Sequence, residues 1–224
     1  MNYTLQFGQV IDRLPYLAGG AWLSLLLATL AFFGGMVLGV FGAMAKLWGG
    51  RVLGGIANAY VVFFTNTPAL VQVYFLYFAL PSFGIILPPF EAVLIGLTLN
   101  SGAYMTEIQR AGFLSIHRNE IEAAETIGLS PLQTVWYVIV PHIVRTLYPA
   151  LSNQYILLTL GTSMAAIFGV EELTGRALSL NAETFRSIEI FTITAALYMV
   201  VTFVANALLV FVGRYYFRAR MRLL

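Results

Sequence analysis

Long apolar stretches dominate this chain, and short polar segments separate them. No charged residue occurs from Leu14 to Ala45, and a second charge-free stretch runs from Val52 to Phe90. A helix of about 20 mostly apolar residues is long enough to cross a bilayer. The pattern therefore predicts an all-α polytopic membrane protein, with residues 1–224 forming a single transmembrane domain.

Five membrane-spanning helices account for the apolar stretches. Pro81, Pro88 and Pro89 mark the end of the second apolar stretch as a turn, since proline interrupts helical hydrogen bonding. Polar or charged segments separate the other stretches. The predicted spans cover residues of about 17–42, 54–80, 91–110, 147–170 and 190–213.

The distribution of basic residues predicts how the chain is oriented. Cytoplasmic loops of membrane proteins carry an excess of Lys and Arg. If the N-terminus lies outside and the C-terminus inside, nine of the 12 Lys and Arg residues are cytoplasmic. These nine are Lys46, Arg51, Arg110, Arg118, Arg145, Arg214, Arg218, Arg220 and Arg222. The same orientation places the polar segment 115–141 in the cytoplasm.

Residues 122–141 have the composition of two short helices joined by a turn. Gly128 is suited to ending the first helix, because glycine tolerates a left-handed backbone. Ser130 can cap a second helix, and Pro131 fits its first position. We expect Pro141 to end this second helix. The segment therefore predicts a compact helical protrusion rather than a flexible loop.

Pro68 interrupts the predicted second span near its middle. Proline frees backbone carbonyl groups, which need other partners at membrane depth. One interpretation is a broken helix that lines a cavity, with the positive end of the half-helix facing a substrate carboxylate. The alternative is a proline kink whose free carbonyls accept hydrogen bonds from the Thr65 and Thr67 hydroxyls.

Two other patterns predict packing within the bundle. Gly35 and Gly39 are four residues apart and Gly42 follows, which allows a neighbouring helix to approach closely. Glu107 and Arg110 are three residues apart on one face of the third span, and we expect them to form an ion pair.

The residues that enzymes need are largely missing from this sequence. There is no cysteine, and Lys46, the only lysine, follows Ala45, so the Gly-Lys pair of a phosphate-binding loop does not occur. His117 and His142 are the only histidines and lack metal-ligand spacing. We therefore expect a non-catalytic subunit with no metal site and no nucleic-acid partner.

Glu122-Ala123-Ala124 is followed by Gly128 and then by Val138, Val140 and Pro141. This spacing resembles the cytoplasmic loop of ABC importer membrane subunits, which docks as a coupling helix on an ATPase subunit. Residues 60–175 also resemble the polar amino acid uptake permeases (histidine/glutamine/arginine type). The matching motifs are Asn66-Thr67-Pro68, Leu70-Val71-Gln72, Ala103-Tyr104, Glu107-Ile108, Arg110-Ala111-Gly112, Asn153-Gln154-Tyr155-Ile156, Thr162-Ser163 and Glu171-Glu172-Leu173-Thr174.

The resemblance implies the fold of a type I ABC importer core in a bacterial inner membrane. It implies two ATPase subunits holding ATP and Mg, a second permease subunit, and an extracytoplasmic solute-binding protein that docks near residues 81–90 and 171–189. This chain would hold no cofactor of its own. The residues expected to couple to the ATPase are Glu122, Ala123, Ala124, Gly128, Leu129 and Ser130. The residues expected to contact an amino acid substrate are Asn66, Thr67, Gln72, Asn100, Gly161, Thr162 and Ser163.

The chain departs from these permeases at three positions that are often charged in the family. Relatives often carry Arg-Gly-Thr-Pro where this chain has Thr65-Asn66-Thr67-Pro68, and Lys-Asp-Thr-Ser where it has Leu160-Gly161-Thr162-Ser163. Either recognition uses helix ends and hydroxyls, or this is the non-binding half of a heterodimer; we favour the second. A secondary transporter and a structural membrane subunit are the rival functions, although the predicted spans lack deeply placed acids for ion coupling.

Overall fold

The computed structural model describes residues 4–216, and within them the chain is helical with no strand. The basic tail containing Arg218, Arg220 and Arg222 lies outside the described residues. The α-helices are α1 (Phe7–Ile11), α2 (Leu14–Trp48), α3 (Gly50–Thr65), α4 (Ala69–Tyr74), α5 (Pro89–Leu114), α6 (Arg118–Thr126), α7 (Pro131–Thr134), α8 (Val140–Gly161), α9 (Leu173–Thr184) and α10 (Ser187–Tyr216). Helical segments of other pitch extend three of them: Phe75–Ala79 and Leu80–Phe83 after α4, Val135–Ile139 between α7 and α8, and Thr162–Phe168 after α8.

Helices α2 and α5 form the tightest seam of the bundle. A Cβ atom added to Gly35 would lie 2.6 Å from Ser101 Oγ, and one added to Gly39 would lie 2.5 Å from Met105 Cβ. Only glycine allows the backbones to come this close. The predicted close approach is therefore confirmed, and its partner is α5. The contacts advance in the same direction along both helices, so α2 and α5 run parallel.

Within residues 4–216, two helices, α2 and α10, are long and apolar enough to cross a membrane singly. Two bent pairs meet the same criterion only when each is taken as one span: Gly50–Thr65 with Ala69–Phe83, and Pro131–Phe168 with Leu173–Thr184. Helix α5 is more polar, but its Ser101 and Thr106 are fully buried against the other helices. The five crossings and the orientation of the chain stay predictions.

The bundle has two opposite ends, which different helices form. Val10 of α1, Leu17 of α2, Leu173 of α9 and Ile190 of α10 belong to one buried apolar cluster. The end of α5 lies at the other extreme, because α5 runs parallel to α2. The α6–α7 region follows the end of α5 and is therefore remote from the end formed by α1 and α9.

A buried carboxylate holds the α9 end together. Glu172 is fully buried and caps the first turn of α9, where its Oε1 accepts from the Gly175 N–H at 3.0 Å. Its Oε2 accepts from Ser24 Oγ of α2 at 2.9 Å and from the Tyr198 hydroxyl of α10 at 2.8 Å. These hydrogen bonds replace the lost hydration of the charge and cross-link three helices.

The expectation that Pro141 ends a helix is wrong. The helix that begins at Pro131 continues through Pro141 and reaches Phe168. Residues 135–139 form a π-helical segment directly before the proline, and the same arrangement precedes Pro81 at residues 75–79. A wider turn moves the preceding carbonyls away from the proline ring, so the chain can stay helical across it.

Candidate functional site

The helix break predicted at Pro68 is present. Helix α3 ends at Thr65 and α4 begins at Ala69. The axis of α3 and that of the continuous helical segment Ala69–Phe83 differ by 103°. Pro68 itself is extended, with φ −62° and ψ 134°. A bend of this size is a change of direction and far exceeds an ordinary proline kink.

Side chains from the break itself satisfy the last carbonyls of α3. Three consecutive residues each donate to the carbonyl four positions earlier. The hydroxyl bonds of Thr65 and Thr67 that the alternative interpretation predicted are therefore confirmed, although the bend is much sharper than a proline kink. The bonds run from Thr65 Oγ1 to Val61 O at 2.7 Å, from Asn66 Nδ2 to Val62 O at 2.8 Å and from Thr67 Oγ1 to Phe63 O at 2.8 Å.

Two amide side chains from outside the break complete this network. Gln72 Nε2 lies 3.0 Å from Phe64 O, 3.1 Å from Thr67 O and 2.7 Å from Thr67 Oγ1. Asn100 Nδ2 donates to Phe64 O at 3.0 Å and to Gln72 Oε1 at 3.1 Å. Gln72 is 7% exposed. The two amides therefore tie α3, α4 and α5 together, and a substrate could bind both Gln72 atoms or Asn100 Nδ2 only by replacing these internal bonds.

The second predicted substrate stretch lies where α8 tightens into a 3₁₀ helix at Thr162. Thr162 is fully buried, and its hydroxyl donates to Thr159 O at 2.7 Å. Gly161 faces open space, since an added Cβ would meet no atom within 4 Å. Phe168, at the end of the 3₁₀ segment, packs in one apolar cluster with Val73 of α4. The two predicted substrate stretches therefore pack against the same apolar core but make no direct polar contact with each other.

A large apolar cavity lies away from these residues. It has a volume of about 1020 Å³ and lies between apolar faces of α2, α8 and α10. None of the seven predicted substrate contacts lines it. Sequence reasoning missed this cavity, although Leu25, Phe32 and Met36 recur at helical spacing along one wall.

The predicted ion pair between Glu107 and Arg110 is present at 2.8 Å. It is part of a larger cluster that sequence reasoning missed, because Lys46 of α2 also pairs with Glu107 and donates to Asn58 Oδ1 of α3 at 3.1 Å. The cluster therefore joins α2, α3 and α5. Over residues 4–216, no group of three or more His, Asp or Glu side chains could hold a metal ion.

Residues 122–141, here called the coupling segment, contain the predicted turn between helices. Gly128 has a φ of +81°, and its N–H donates to Glu125 O at 3.0 Å. The next N–H, that of Leu129, donates to Ala124 O at 3.1 Å. This pair of bonds is the Schellman arrangement that ends helices at glycine. The predicted role of Gly128 in ending α6 is confirmed.

The start of α7 is also fixed locally. The Gln133 N–H lies 3.4 Å from Ser130 Oγ, and the Ser130 N–H donates to Gln133 Oε1 at 2.8 Å. Pro131 occupies the first turn. This reciprocal capping box confirms the predicted cap at Ser130 and makes the turn a defined structure.

Most of the coupling segment is uncovered within this chain. Of the six predicted coupling residues only Ala124 is buried, and Leu129 is half-buried. Large apolar side chains beside them are strongly exposed: Ile127 by 77%, Leu132 by 69%, Trp136 by 62% and Tyr137 by 72%. An apolar surface of this kind typically marks contact with another protein or with lipid.

Residues 35–218 match a protein family described as binding-protein-dependent transport system inner membrane component. The chain is 37% identical over 198 residues to the glutamine transport system permease protein GlnP of Escherichia coli (strain K12), covering 88% of this chain and 90% of that protein. It is 36% identical over 193 residues to the L-cystine transport system permease protein TcyB of Bacillus subtilis (strain 168), covering 86% and 82%.

Solved structures show the same similarity. A crystal structure of an amino acid ABC transporter with histidines aligns with a TM-score of 0.86 and 31% identity, covering 95% of this chain and 99% of that one. An inward-facing structure of the MetNI methionine ABC transporter aligns with a TM-score of 0.64 over 88% of this chain and 95% of that one. Its 19% identity supports a shared fold only.

Proposed function

We propose that this chain, which belongs to the family of binding-protein-dependent transport system inner membrane components, is the permease subunit of an ATP-driven importer for a polar amino acid or an amino acid derivative. Its fold is the all-α membrane core of type I ABC importers, and it is a multi-pass protein of the bacterial inner membrane. ATP and Mg belong to separate ATPase subunits, and this chain has no catalytic role of its own.

The coupling segment is the observation that carries the proposal. It combines a helix end fixed at Gly128, a capping box at Ser130 and an apolar surface that the chain itself leaves uncovered. Since it lies at the opposite end of the bundle from α1 and α9, a partner can hold it without blocking that other end. Glu122, Ala123, Ala124, Gly128, Leu129 and Ser130 would form the contact with the ATPase.

The assembly would contain two permease subunits and two ATPase subunits. With the N-terminus outside, the coupling segment is cytoplasmic, and residues 81–90 and 171–189 face the extracytoplasmic solute-binding protein. Closure of the ATPases around ATP would draw the two coupling segments together and rock the bundle between inward-open and outward-open states. ATP shifts that balance only through its different affinity for the two states.

An amino acid substrate is supported by the relatives, two of which are permeases for glutamine and for L-cystine. The substrate would pass the helix break at Pro68 and then Gly161, which faces open space. The neutral positions Thr65, Leu160 and Gly161 favour a heterodimer in which a second, different permease supplies the charged contacts. In this arrangement the polar side chains at the break of this subunit serve mainly to hold α3, α4 and α5.

The test of the proposal is the change Gly128→Val in the complete transporter, reconstituted in vesicles. At φ +81° an L side chain costs about 1–2 kcal/mol, and a β-branched one is especially unfavourable. We expect ATP hydrolysis to continue while substrate uptake falls at least tenfold, because the turn no longer presents the coupling surface correctly. Uptake and hydrolysis are measured on the same vesicles.

Gly55→Val is the matched control. Both glycines have open space around them, but Gly55 lies within α3 and lacks the positive φ. We expect Gly55→Val to transport normally. Normal uptake by Gly128→Val would contradict the coupling role. A secondary transporter or a purely structural subunit would instead purify in detergent without any ATPase subunit.

A further inference from the structure

Helix α6 is joined to the rest of the chain by a short non-helical link on each side. On one side, three residues separate it from the end of α5 at Leu114. On the other side lies Gly128, whose left-handed backbone ends the helix. A short helix connected in this way transmits a force to the membrane helices only if other contacts fix it to them.

A contact between a carboxylate and an imidazole connects α6 to α8. Glu120, in the first turn of α6, places Oε2 3.2 Å from Nδ1 of His142, in the first turn of α8. The side chains are 37% and 27% exposed, so the pair is partly shielded from water. By contrast, the Arg118–Glu122 pair lies within α6 and holds it to nothing else.

The covalent path from the Gly128 turn to His142 is irregular. It passes through the four residues of α7, then the π-helical segment 135–139, and then Pro141, which donates no backbone hydrogen bond. The Glu120–His142 pair connects α6 to α8 directly and bypasses this stretch. His142 lies immediately beyond it.

We propose that Glu120 and His142 form a strut that transmits movement of α6 to α8. This inference rests on the proposed coupling function and adds two positioning residues to it. Helix α8 packs closely on α5, where an added Cβ at Gly112 would lie 2.7 Å from Leu147, and it continues to Gly161. A displacement of α8 at His142 therefore acts on both the α5 contact and the predicted substrate stretch.

The experiment measures ATP hydrolysed per amino acid taken up by vesicles that contain the complete transporter, with a radiolabelled amino acid mixture as the probe. Glu120→Met and His142→Leu should each raise this ratio about fivefold, the lower range of a typical coupling between sites. The ATPase subunit should stay bound in normal amounts. The double variant should be no worse than either single variant, since both remove the same contact.

The exchanged pair, Glu120→His with His142→Glu, separates a strut from a general structural role. It restores the contact in reverse and should bring the ratio back close to that of the unchanged transporter. Arg118→Gln, which removes only the pair within α6, is the matched control and should leave the ratio unchanged. An unchanged ratio in Glu120→Met, or an equal rise in Arg118→Gln, would overturn the strut. Lack of ATP-dependent uptake by the unchanged transporter would instead refute the proposed function.

Discussion

The chain turns sharply between α3 and α4 and again between α6 and α7, and polar side chains satisfy the free backbone groups at both turns. At the first, Asn100 reaches Phe64 O from a position 36 residues away. At the second, Ser130 and Gln133 are three residues apart. The first turn is therefore held by the surrounding bundle, whereas the second holds itself and leaves its outer surface uncovered within this chain. Hydrogen bonds between helices fix those helices relative to one another, whereas a local cap keeps a short segment ordered without bonds to other helices.

Among substitutions at the two turns, Gln72→Met should cause the largest loss of stability. Methionine has a similar length but cannot donate to the Phe64 and Thr67 oxygens or accept from Asn100, so buried polar atoms lose their partners. We expect a loss of about 2–3 kcal/mol in stability. A thermal melt of the purified complex in detergent measures this as a lower midpoint.

Gln133→Met is the same change made at the other turn. Gln133 is exposed, and water can replace its bond to the Ser130 N–H. We expect a thermal midpoint close to that of the unchanged complex. Equal shifts for Gln72→Met and Gln133→Met would contradict the distinction between a bundle-held and a self-held turn.

The sequence alone was sufficient to predict the second turn, because its determinants are local. Gly128 and Ser130 carry their backbone preferences wherever they occur, and the structure uses both as expected. The break at Pro68 was also predicted, but the bonds from Gln72 and Asn100 were not, since they depend on how α5 passes the break.

Long-range contacts explain the other differences between prediction and structure. The ion pair at Glu107 was predicted as a local pair with Arg110, and its Lys46 partner is 61 residues away. Continuation of the helix through Pro141 depends on a π-helical segment, for which residues 135–139 carry no recognised signal. Neither feature follows from spacing within one helix.

Ser130→Ala should have an intermediate effect confined to the coupling segment. Loss of a serine N-cap costs about 1 kcal/mol, but here the cap stabilises a turn at the edge of the bundle. We expect faster hydrogen exchange at residues 128–134 with little change in the thermal midpoint. Ser115→Ala, which removes a hydroxyl bond to Gly112 O outside the coupling segment, is the control and should leave this exchange unchanged. Faster exchange that also extends over α8 and α5 would show that the turn is held by the bundle, which contradicts the distinction between the two turns.

Asn66→Ala should have the smallest effect on stability, because Asn66 is exposed and Val62 O keeps the bond that it accepts from the Asn66 backbone N–H at 3.2 Å. Its effect on transport distinguishes the two interpretations of the break. If the polar residues there only hold the backbone, substrate-stimulated ATP hydrolysis should remain in Asn66→Ala. Gly161→Asp is a complementary test, since it places in open space the acid that the resemblance to polar amino acid permeases implies at this position. Loss of stimulation in Asn66→Ala with an unchanged thermal midpoint would show that this subunit contacts substrate directly. The polar residues at the first turn would then bind a ligand as well as hold the backbone.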